Sequence, residues 1–288
     1  MKAAAFNYQK VSSVDEVLNL LIKNGDNAKL IAGGQSLLPS LNMRLSNPEI
    51  LIDLQGVEEL KGITEQNGVI RIGAMTTHTE IQDSDIIQKH LPILHQAVPH
   101  IAHRAIRNLG TWGGSCVYAD PAAEWPACAL ALDAVMVIAG SNGHRKVAAK
   151  DFFLDLYTTA LQENELLVAT EFTLTNHTSL DYFDELSRRH GDYAVTGIVC
   201  HVELDQGKIA KSRVVYFSVA STPVLTEGVQ ALLQSKTLQE LSQATLIEQA
   251  KDIARSEIMT LSDLTSSAQM KTHLVGVLLE RALQHIAS

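Results

Sequence analysis

Short apolar runs alternate with helix-like repeats at the start of the chain. Apolar residues at 6–8, 29–32 and 50–54 predict three strands. Between the first two, Ser13 and Glu16 have the spacing of a helix cap ahead of a 3.6-residue apolar repeat, which Gly25 ends. The alternation predicts a small α/β subdomain over about residues 1–55.

A second α/β subdomain is predicted over residues 56–176. Strand-like runs occupy 69–74, 135–139 and 166–172, and Thr77 with Glu80 forms a helix-cap pattern. Apolar positions from 92 to 108 have helical spacing and predict one helix, and residues 125–132 predict another.

The polar stretch at 175–178 predicts a domain boundary, so that residues 177–288 form a separate C-terminal unit. Its pattern gives strands at 198–204 and 213–219, then helices from Thr237 onward. Strands followed by helices are typical of an α+β domain.

Composition narrows the classes of protein that fit. The 288 residues carry a net charge of −9 and no block of Lys or Arg, which disfavours nucleic acid and anionic membranes as partners. No secretory signal is visible, and the longest apolar stretch, about residues 126–140, is interrupted by Asp133. We therefore expect a cytoplasmic protein without membrane insertion.

Cysteine and histidine spacing gives no metal-site pattern. Cys116, Cys128 and Cys200 are widely separated, so small buried side chains are the favoured interpretation over iron–sulfur or zinc ligands. The histidines at 95, 100 and 103 lack the spacing of a zinc-binding helix. We expect no metal site in this chain.

Two separated loops combine adjacent glycines with hydroxyl side chains. They are AGGQS at residues 32–36 and TWGGS at residues 111–115. Adjacent glycines permit close backbone approach, and exposed amides can hold a phosphate. Either loop alone is best explained as a simple turn, but a pair brought together could bind both halves of a diphosphate. No Rossmann or P-loop motif is present, so a different dinucleotide fold is indicated.

At these loops the sequence resembles the FAD-binding medium subunits of molybdenum hydroxylases, the family that includes the medium subunits of carbon monoxide dehydrogenase and quinoline oxidoreductase and the flavin domain of xanthine dehydrogenase. The resemblance is carried by IAGGQSLLP at 31–39 with MRL at 43–45, by RNLGTWGGS at 107–115 with ADPAAE at 119–124, and by RRHGDYA at 188–194. These motifs occur in the family's order across essentially the whole chain.

The resemblance implies a vanillyl-alcohol-oxidase-type (PCMH-type) FAD-binding fold of two α/β subdomains, followed by a C-terminal α+β domain. It implies an oxidoreductase subunit that uses FAD. It also implies a large partner subunit with molybdopterin and a small one with two [2Fe–2S] clusters, together forming a dimer of heterotrimers. Substrate is oxidised at molybdenum, and electrons leave through the clusters and the flavin to an external acceptor.

Site residues follow from the same resemblance, and none of them is a catalytic acid or base. Tyr193 would lie against the isoalloxazine ring, where an aromatic side chain can shield one face. A core position is the competing interpretation of Tyr193. The residues expected to contact FAD are Ala32, Gly33, Gly34, Gln35, Ser36, Leu37, Thr111, Gly113, Gly114, Ser115, Glu124, Leu167 and Tyr193.

Three positions depart from the pattern common in the family. Ser115 replaces Asn or Asp, and Glu124 replaces Asp at a position expected to meet the ribose or adenine side of FAD. Glu185 follows Asp184 where many members carry a Lys near the flavin. Loss of that positive charge would disfavour an anionic reduced flavin and change its potential.

An electron-relay subunit is the favoured hypothesis. A self-contained flavin oxidoreductase with its own small substrate is the alternative, but it would need a base and a substrate pocket for which no motif is visible. A non-catalytic scaffold without flavin is disfavoured by the intact loops. Gln35 and residues 183–185 resemble the quinoline branch, which favours an N-heteroaromatic substrate for the whole complex.

Overall fold

The chain begins with a small parallel sheet. The computed structural model describes residues 2–288, starting with β1 (Asn7–Lys10), α1 (Val14–Asn24), β2 (Ala28–Ile31), α2 (Leu37–Asn42) and β3 (Ile50–Asp53). β3 lies between β1 and β2 and is parallel to both. The hydroxyl of Ser13 accepts a hydrogen bond from the amide of Glu16 at 3.2 Å, so the predicted cap of α1 is confirmed.

The second subdomain is built on a five-stranded antiparallel sheet. Its elements are β4 (Ile63–Gln66), β5 (Val69–Gly73), α3 (His78–Gln82), α4 (Asp85–His90), α5 (Pro92–Ala97), α6 (Arg104–Arg107), α7 (Trp112–Tyr118), α8 (Glu124–Ala131), β6 (Val135–Gly140), β7 (Gly143–Ala148), α9 (Ala149–Phe152), β8 (Phe153–Asp155), β9 (Thr158–Thr159) and β10 (Leu166–Thr173). The strand order is β4-β5-β10-β6-β7, and β8 pairs with β9 as a separate hairpin. β10, the last of these strands in the chain, therefore lies at the centre of the sheet, between β5 and β6.

The prediction of a single helix over residues 92–108 is wrong. The segment divides into α5, a 3₁₀ turn (Val98–His100) and α6. Pro99 has no amide hydrogen to continue the helix, and Ala102 adopts a φ of 43°. Arg107 stabilises this break, because its guanidinium donates hydrogen bonds of 3.0 Å to the carbonyls of Ile101 and Ala102.

The C-terminal domain pairs an antiparallel sheet with a helical layer. Its elements are β11 (Thr178–Ser187), β12 (Ala194–Asp205), β13 (Lys208–Phe217), β14 (Val224–Leu225), α10 (Glu227–Leu233), α11 (Leu238–Leu241), α12 (Ala244–Glu257) and α13 (Ala268–Ala287). The strands follow one another in chain order across the sheet. The α+β prediction is confirmed, although the sequence pattern missed β11, β14 and α10. The predicted boundary at 176/177 falls in the loop between β10 and β11.

Three apolar cores hold the subdomains together. α1 and the parallel sheet pack against Val137 and Val168 of the five-stranded sheet. The helices on the other face of that sheet share a core with Phe183 and Phe217 of the C-terminal sheet, whose opposite face packs on α10–α13. Every predicted unit therefore buries part of its apolar surface against its neighbour, which fixes the loops between them.

The structure also locates the cysteines, the candidate metal ligands and the most apolar helices. All three cysteines are free and buried, as predicted, and burial raises the pKa of Cys200 to about 12. No cluster of His, Cys, Asp and Glu within residues 2–288 has the arrangement of a metal site. Over the same range, no helix is both long enough and apolar enough to cross a bilayer.

Candidate functional site

A cavity of about 750 Å³ opens between the first two subdomains, with the β11–β12 loop forming part of its wall. Pockets of roughly 300–1,000 Å³ are typical of cofactor sites. The lining includes every residue assigned to FAD from the sequence: Ala32, Gly33, Gly34, Gln35, Ser36, Leu37, Thr111, Gly113, Gly114, Ser115, Glu124, Leu167 and Tyr193. Residues more than 150 positions apart in the chain therefore face one space.

The two glycine loops touch at the base of this cavity. A Cβ atom added to Gly33 would lie 2.0 Å from the carbonyl oxygen of Leu109, just before the second loop. One added to Gly114 would lie 3.5 Å from the Cβ of Ala32. Such short distances leave no room for a side chain at Gly33. The convergence on which the dinucleotide hypothesis depends is thus present in the structure.

The first loop offers unused amide donors. It connects β2 to α2, and the Gln35 side chain stabilises it by donating a hydrogen bond of 2.8 Å to the carbonyl of Gly33. Within residues 2–288, the backbone amides of residues 33–36 donate no hydrogen bond to any backbone or side-chain acceptor. The Ser36 side chain makes no capping bond to α2. A row of free amides next to a free hydroxyl is suited to a phosphate.

The second loop is a helix start, which the sequence interpretation as a turn missed. Thr111 caps α7, and its hydroxyl accepts a hydrogen bond from the amide of Gly114 at 3.1 Å. The amide of Gly113 donates to the carbonyl of Ala74, and that of Ser115 to the carbonyl of Thr111. The amides of Gly113, Gly114 and Ser115 therefore already donate hydrogen bonds to other groups of the protein. The expectation that both loops supply free amides is correct for the first loop only.

Close packing explains the glycines of the second loop instead. A Cβ on Gly113 would lie 2.5 Å from the Cβ of Ala74 at the end of β5. One on Gly114 would lie 2.7 Å from the hydroxyl oxygen of Thr111. The absence of side chains lets α7 begin directly against β5, which brings the hydroxyl-bearing Ser115 to the cavity wall.

Two fully buried tryptophans support the wall behind α7 and α8. The indole nitrogen of Trp112 donates to Thr170, and that of Trp125 donates to Nδ1 of His78 at 2.9 Å. Burial, together with the positive charge of Arg107, lowers the pKa of His78 to about 3. His78 is therefore a neutral acceptor at pH 7. Both tryptophans therefore pack inside the protein behind the cavity wall.

Tyr193 lies on the cavity wall and is not a core residue. It is 70% exposed, at the end of the β11–β12 loop. Tyr118 and Tyr157 form a ring pair nearby with centroids 5.1 Å apart. Burial, followed by the charge of Asp120, raises the pKa of Tyr193 and that of Tyr157, so both phenols are neutral at pH 7. The cavity thus has one large, uncharged aromatic surface free for a ligand.

Two carboxylates occupy the inner side of the wall. Glu124 is the first residue of α8 and lines the cavity, whereas Glu185 projects from β11 with only 2% of its side chain exposed. Burial and then the negative charge of Glu185 raise the pKa of Glu124 to about 8. Asp184 faces the other side of the strand, where it accepts hydrogen bonds from Tyr182 and Arg281.

Sequence reasoning missed some residues of this cavity. His78 was interpreted only as part of a capping pattern, and nothing in the sequence indicates that it meets Trp125. Ile101 and Ala102 line the cavity only because the predicted helix is broken there. The volume, the free amides and the exposed tyrosine together fit a dinucleotide, whose central diphosphate would meet the amides and one of whose rings would meet the tyrosine.

Comparison with known proteins identifies the family. The family model described as the FAD binding domain in molybdopterin dehydrogenase matches residues 4–172. The one described as the CO dehydrogenase flavoprotein C-terminal domain matches residues 181–286. The chain is 38% identical over 284 residues to the 6-hydroxypseudooxynicotine dehydrogenase complex subunit alpha of Paenarthrobacter nicotinovorans, with 98% of this chain and 95% of that protein covered.

Solved structures show the same fold. A chain of carbon monoxide dehydrogenase from Hydrogenophaga pseudoflava superposes with a TM-score of 0.95 at 35% identity, covering 99% of this chain and 98% of that one. A chain of quinoline 2-oxidoreductase from Pseudomonas putida 86 gives 0.92 at 34% identity, with 100% and 98% covered. The predicted fold is confirmed, and the chain belongs to the FAD-binding medium subunits of the molybdenum hydroxylases.

Proposed function

We propose that this chain carries electrons through a bound FAD, from [2Fe–2S] clusters of a small partner subunit to an external acceptor. A large molybdopterin subunit would oxidise the substrate, and the three subunits would assemble as a dimer of heterotrimers in the cytoplasm. The observation that carries the proposal is the convergence of all thirteen assigned residues on one cavity. The FAD-binding family match supports the choice of cofactor.

The chain's own residues provide binding and orientation. The free amides of the first loop and the hydroxyls of Ser36 and Ser115 would hold the diphosphate. Tyr193 would cover one face of the isoalloxazine ring, and Leu167 supplies an apolar contact from β10. Bound FAD supplies the redox chemistry, because it accepts electrons from one-electron donors and passes them on.

A relay function requires no acid–base pair in this chain. His78 is neutral and already accepts a hydrogen bond from Trp125, so it is not free to act as a base toward a substrate. The tyrosines at the cavity have raised pKa values and stay protonated. These features favour electron transfer over a self-contained oxidoreductase.

We further propose an N-heteroaromatic substrate for the whole complex. The relative that is 38% identical is named for its action on a hydroxypseudooxynicotine, and another acts on quinoline. Carbon monoxide dehydrogenase is similar at 35%, so overall identity does not separate the branches. The residues that select the substrate would lie in the large subunit.

The relay is tested on the assembled complex by stopped-flow absorbance. After substrate is added, cluster bleaching should precede flavin bleaching, and an external acceptor should reoxidise both. A flavin that remains oxidised while the clusters are reduced would overturn the relay.

The isolated, FAD-loaded chain provides the comparison. We expect no flavin reduction when N-heteroaromatic substrates are added to it alone. Rapid reduction under those conditions would establish the self-contained oxidoreductase in place of the relay.

A further inference from the structure

One buried serine joins two segments of the cavity wall. Ser218 directly follows β13, and its backbone amide donates a hydrogen bond of 2.7 Å to the carbonyl of Pro121. Its hydroxyl donates one of 2.5 Å to the carbonyl of Ala194. Pro121 lies in the loop that brings Asp120 to the cavity, and Ala194 directly follows Tyr193. Ser218 therefore holds the backbone beside both of these lining residues.

The backbone of Ser218 is itself fixed in an unusual conformation. Its φ is 61°, in the left-handed region that residues with a side chain seldom adopt. The carbonyl of Ser218 accepts a hydrogen bond of 2.5 Å from Nζ of Lys271 on α13, and the same ammonium pairs with Asp263 at 2.6 Å. Such conformations persist where the surrounding structure fixes them. Lys271 thereby ties the conformation of Ser218 to the helical layer of the C-terminal domain.

The Tyr193 ring depends on its backbone for its position. The side chain is 70% exposed, and the amide of Tyr193 bonds to Asp192, the residue before it. β12 begins at Ala194, which pairs with Ser187 of β11 across a shift in register. The Ser218 hydroxyl therefore supplies a tertiary hydrogen bond next to the ring, at a point where the pairing of the sheet is irregular.

We propose that Ser218 is a positioning residue for the flavin, because its amide holds the loop of Asp120 while its hydroxyl holds the backbone of Tyr193. This inference rests on the proposed function, in which Tyr193 covers one face of the isoalloxazine ring. Ser218 acts through Tyr193 and does not itself line the cavity. An aromatic ring that is already held in place loses less freedom when FAD binds, and this preorganisation strengthens binding.

Two substitutions at Ser218 separate positioning from stability. Ser218→Ala removes the hydroxyl and keeps a side chain at a φ of 61°. Ser218→Gly also removes the hydroxyl, but glycine adopts this φ without strain, so this variant should be the more stable of the two. FAD affinity, measured by flavin fluorescence titration, should fall about threefold in both variants. Wild-type affinity in either variant would overturn the positioning role.

A double-mutant cycle with Tyr193→Ala shows whether the effect passes through the ring. Once the ring is absent, Ser218→Ala should cause no further loss of FAD affinity, because the group that Ser218 positions is gone. An equal loss in the presence and absence of the ring would mean that the hydroxyl acts elsewhere, and the proposal would then be wrong.

Thr226→Val is the matched control. The hydroxyl of Thr226 is also buried and also donates to a backbone carbonyl, that of Val214, at 3.0 Å. Thr226 does not line the cavity. The variant should therefore lose stability and keep the FAD affinity of the wild type. A loss of affinity as large as that in Ser218→Ala would contradict a specific role for Ser218.

Hydrogen exchange in the FAD-free chain distinguishes this inference from the proposed function. The amides of residues 190–196 should exchange faster in Ser218→Ala than in the wild type, as measured by mass spectrometry, because this segment loses its bond to Ser218. Failure of the wild type to bind FAD would contradict the proposed function and leave the exchange difference in place. Equal exchange in Ser218→Ala and wild type would contradict the positioning role alone.

Discussion

The Cα of Gly33 faces the carbonyl oxygen of Leu109 so closely that a methyl group at Gly33 would lie 2.0 Å from that oxygen. The carbonyl belongs to the backbone and cannot swing aside as a flexible side chain could. One contact between two loops, 76 positions apart, therefore sets the spacing of the cavity's base.

Gly33→Ala should weaken FAD binding by at least about fivefold, because the loops must separate at a cost of roughly 1–3 kcal/mol. Flavin fluorescence titration measures the affinity. Gly68→Ala is the control, since it adds a methyl in open space at a φ of 74°, in a turn remote from the cavity. It should lower the melting temperature without changing FAD affinity. Equal affinity in Gly33→Ala and wild type would contradict the loop assignment.

Tyr193→Ala should reduce FAD affinity about fivefold, the equivalent of roughly 1 kcal/mol of ring packing. The melting temperature of the FAD-free chain should not change, because the side chain is 70% exposed and supports no core. Tyr193→Phe keeps the ring and should bind FAD as the wild type does. An affinity loss in Tyr193→Phe equal to that in Tyr193→Ala would show that the hydroxyl, and not the ring, makes the contact.

Arg213 joins the C-terminal sheet to α8, and its guanidinium donates two hydrogen bonds, of 3.0 and 2.8 Å, to the carbonyl of Leu130. Arg213→Met should lower the free energy of unfolding by about 2–3 kcal/mol, because a buried charged hydrogen bond is lost. Lys211 pairs with Asp133 at the adjacent surface, and Lys211→Met should cost about 1 kcal/mol or less. Urea denaturation compares the two variants, and equal losses would contradict a special role for Arg213.

His201 predicts a stability change at alkaline pH. Burial alone would lower its pKa, but the hydrogen bond to Asp181 at 2.6 Å and the ion pair with Glu203 at 3.6 Å outweigh burial and raise the pKa to about 9. A pKa raised in the folded state gives stability that is complete below the unfolded value of about 6.5 and is lost as the pH rises through 9. The loss should amount to roughly 3 kcal/mol.

Urea denaturation between pH 6 and pH 10 provides the measurement. His201→Gln should be less stable than the wild type at the acidic end, and the two curves should converge above about pH 9. A constant difference between the curves across this range would show that His201 does not change its protonation there.

The sequence by itself determined the family, the cofactor class and thirteen of the residues that line the cavity. Its short motifs succeed because the residue type at a position can be recognised without knowing its partner. Gly33 is such a case, since a close backbone approach requires glycine there although the backbone it meets, at Leu109, is distant in the chain. The capped start of α1 was also predictable, since a cap is a contact between residues three apart.

Tertiary structure alone decided which backbone amides remain free and which charges meet. The amide of Gly113 is used because β5 lies beside it, and no local pattern encodes that neighbour. Because the helix is broken at Ala102, the carbonyls of Ile101 and Ala102 accept hydrogen bonds from the Arg107 guanidinium. In a continuous helix they would have accepted them from backbone amides. The raised pKa of Glu124 likewise depends on its burial and on the charge of Glu185, which is 61 positions away along the chain.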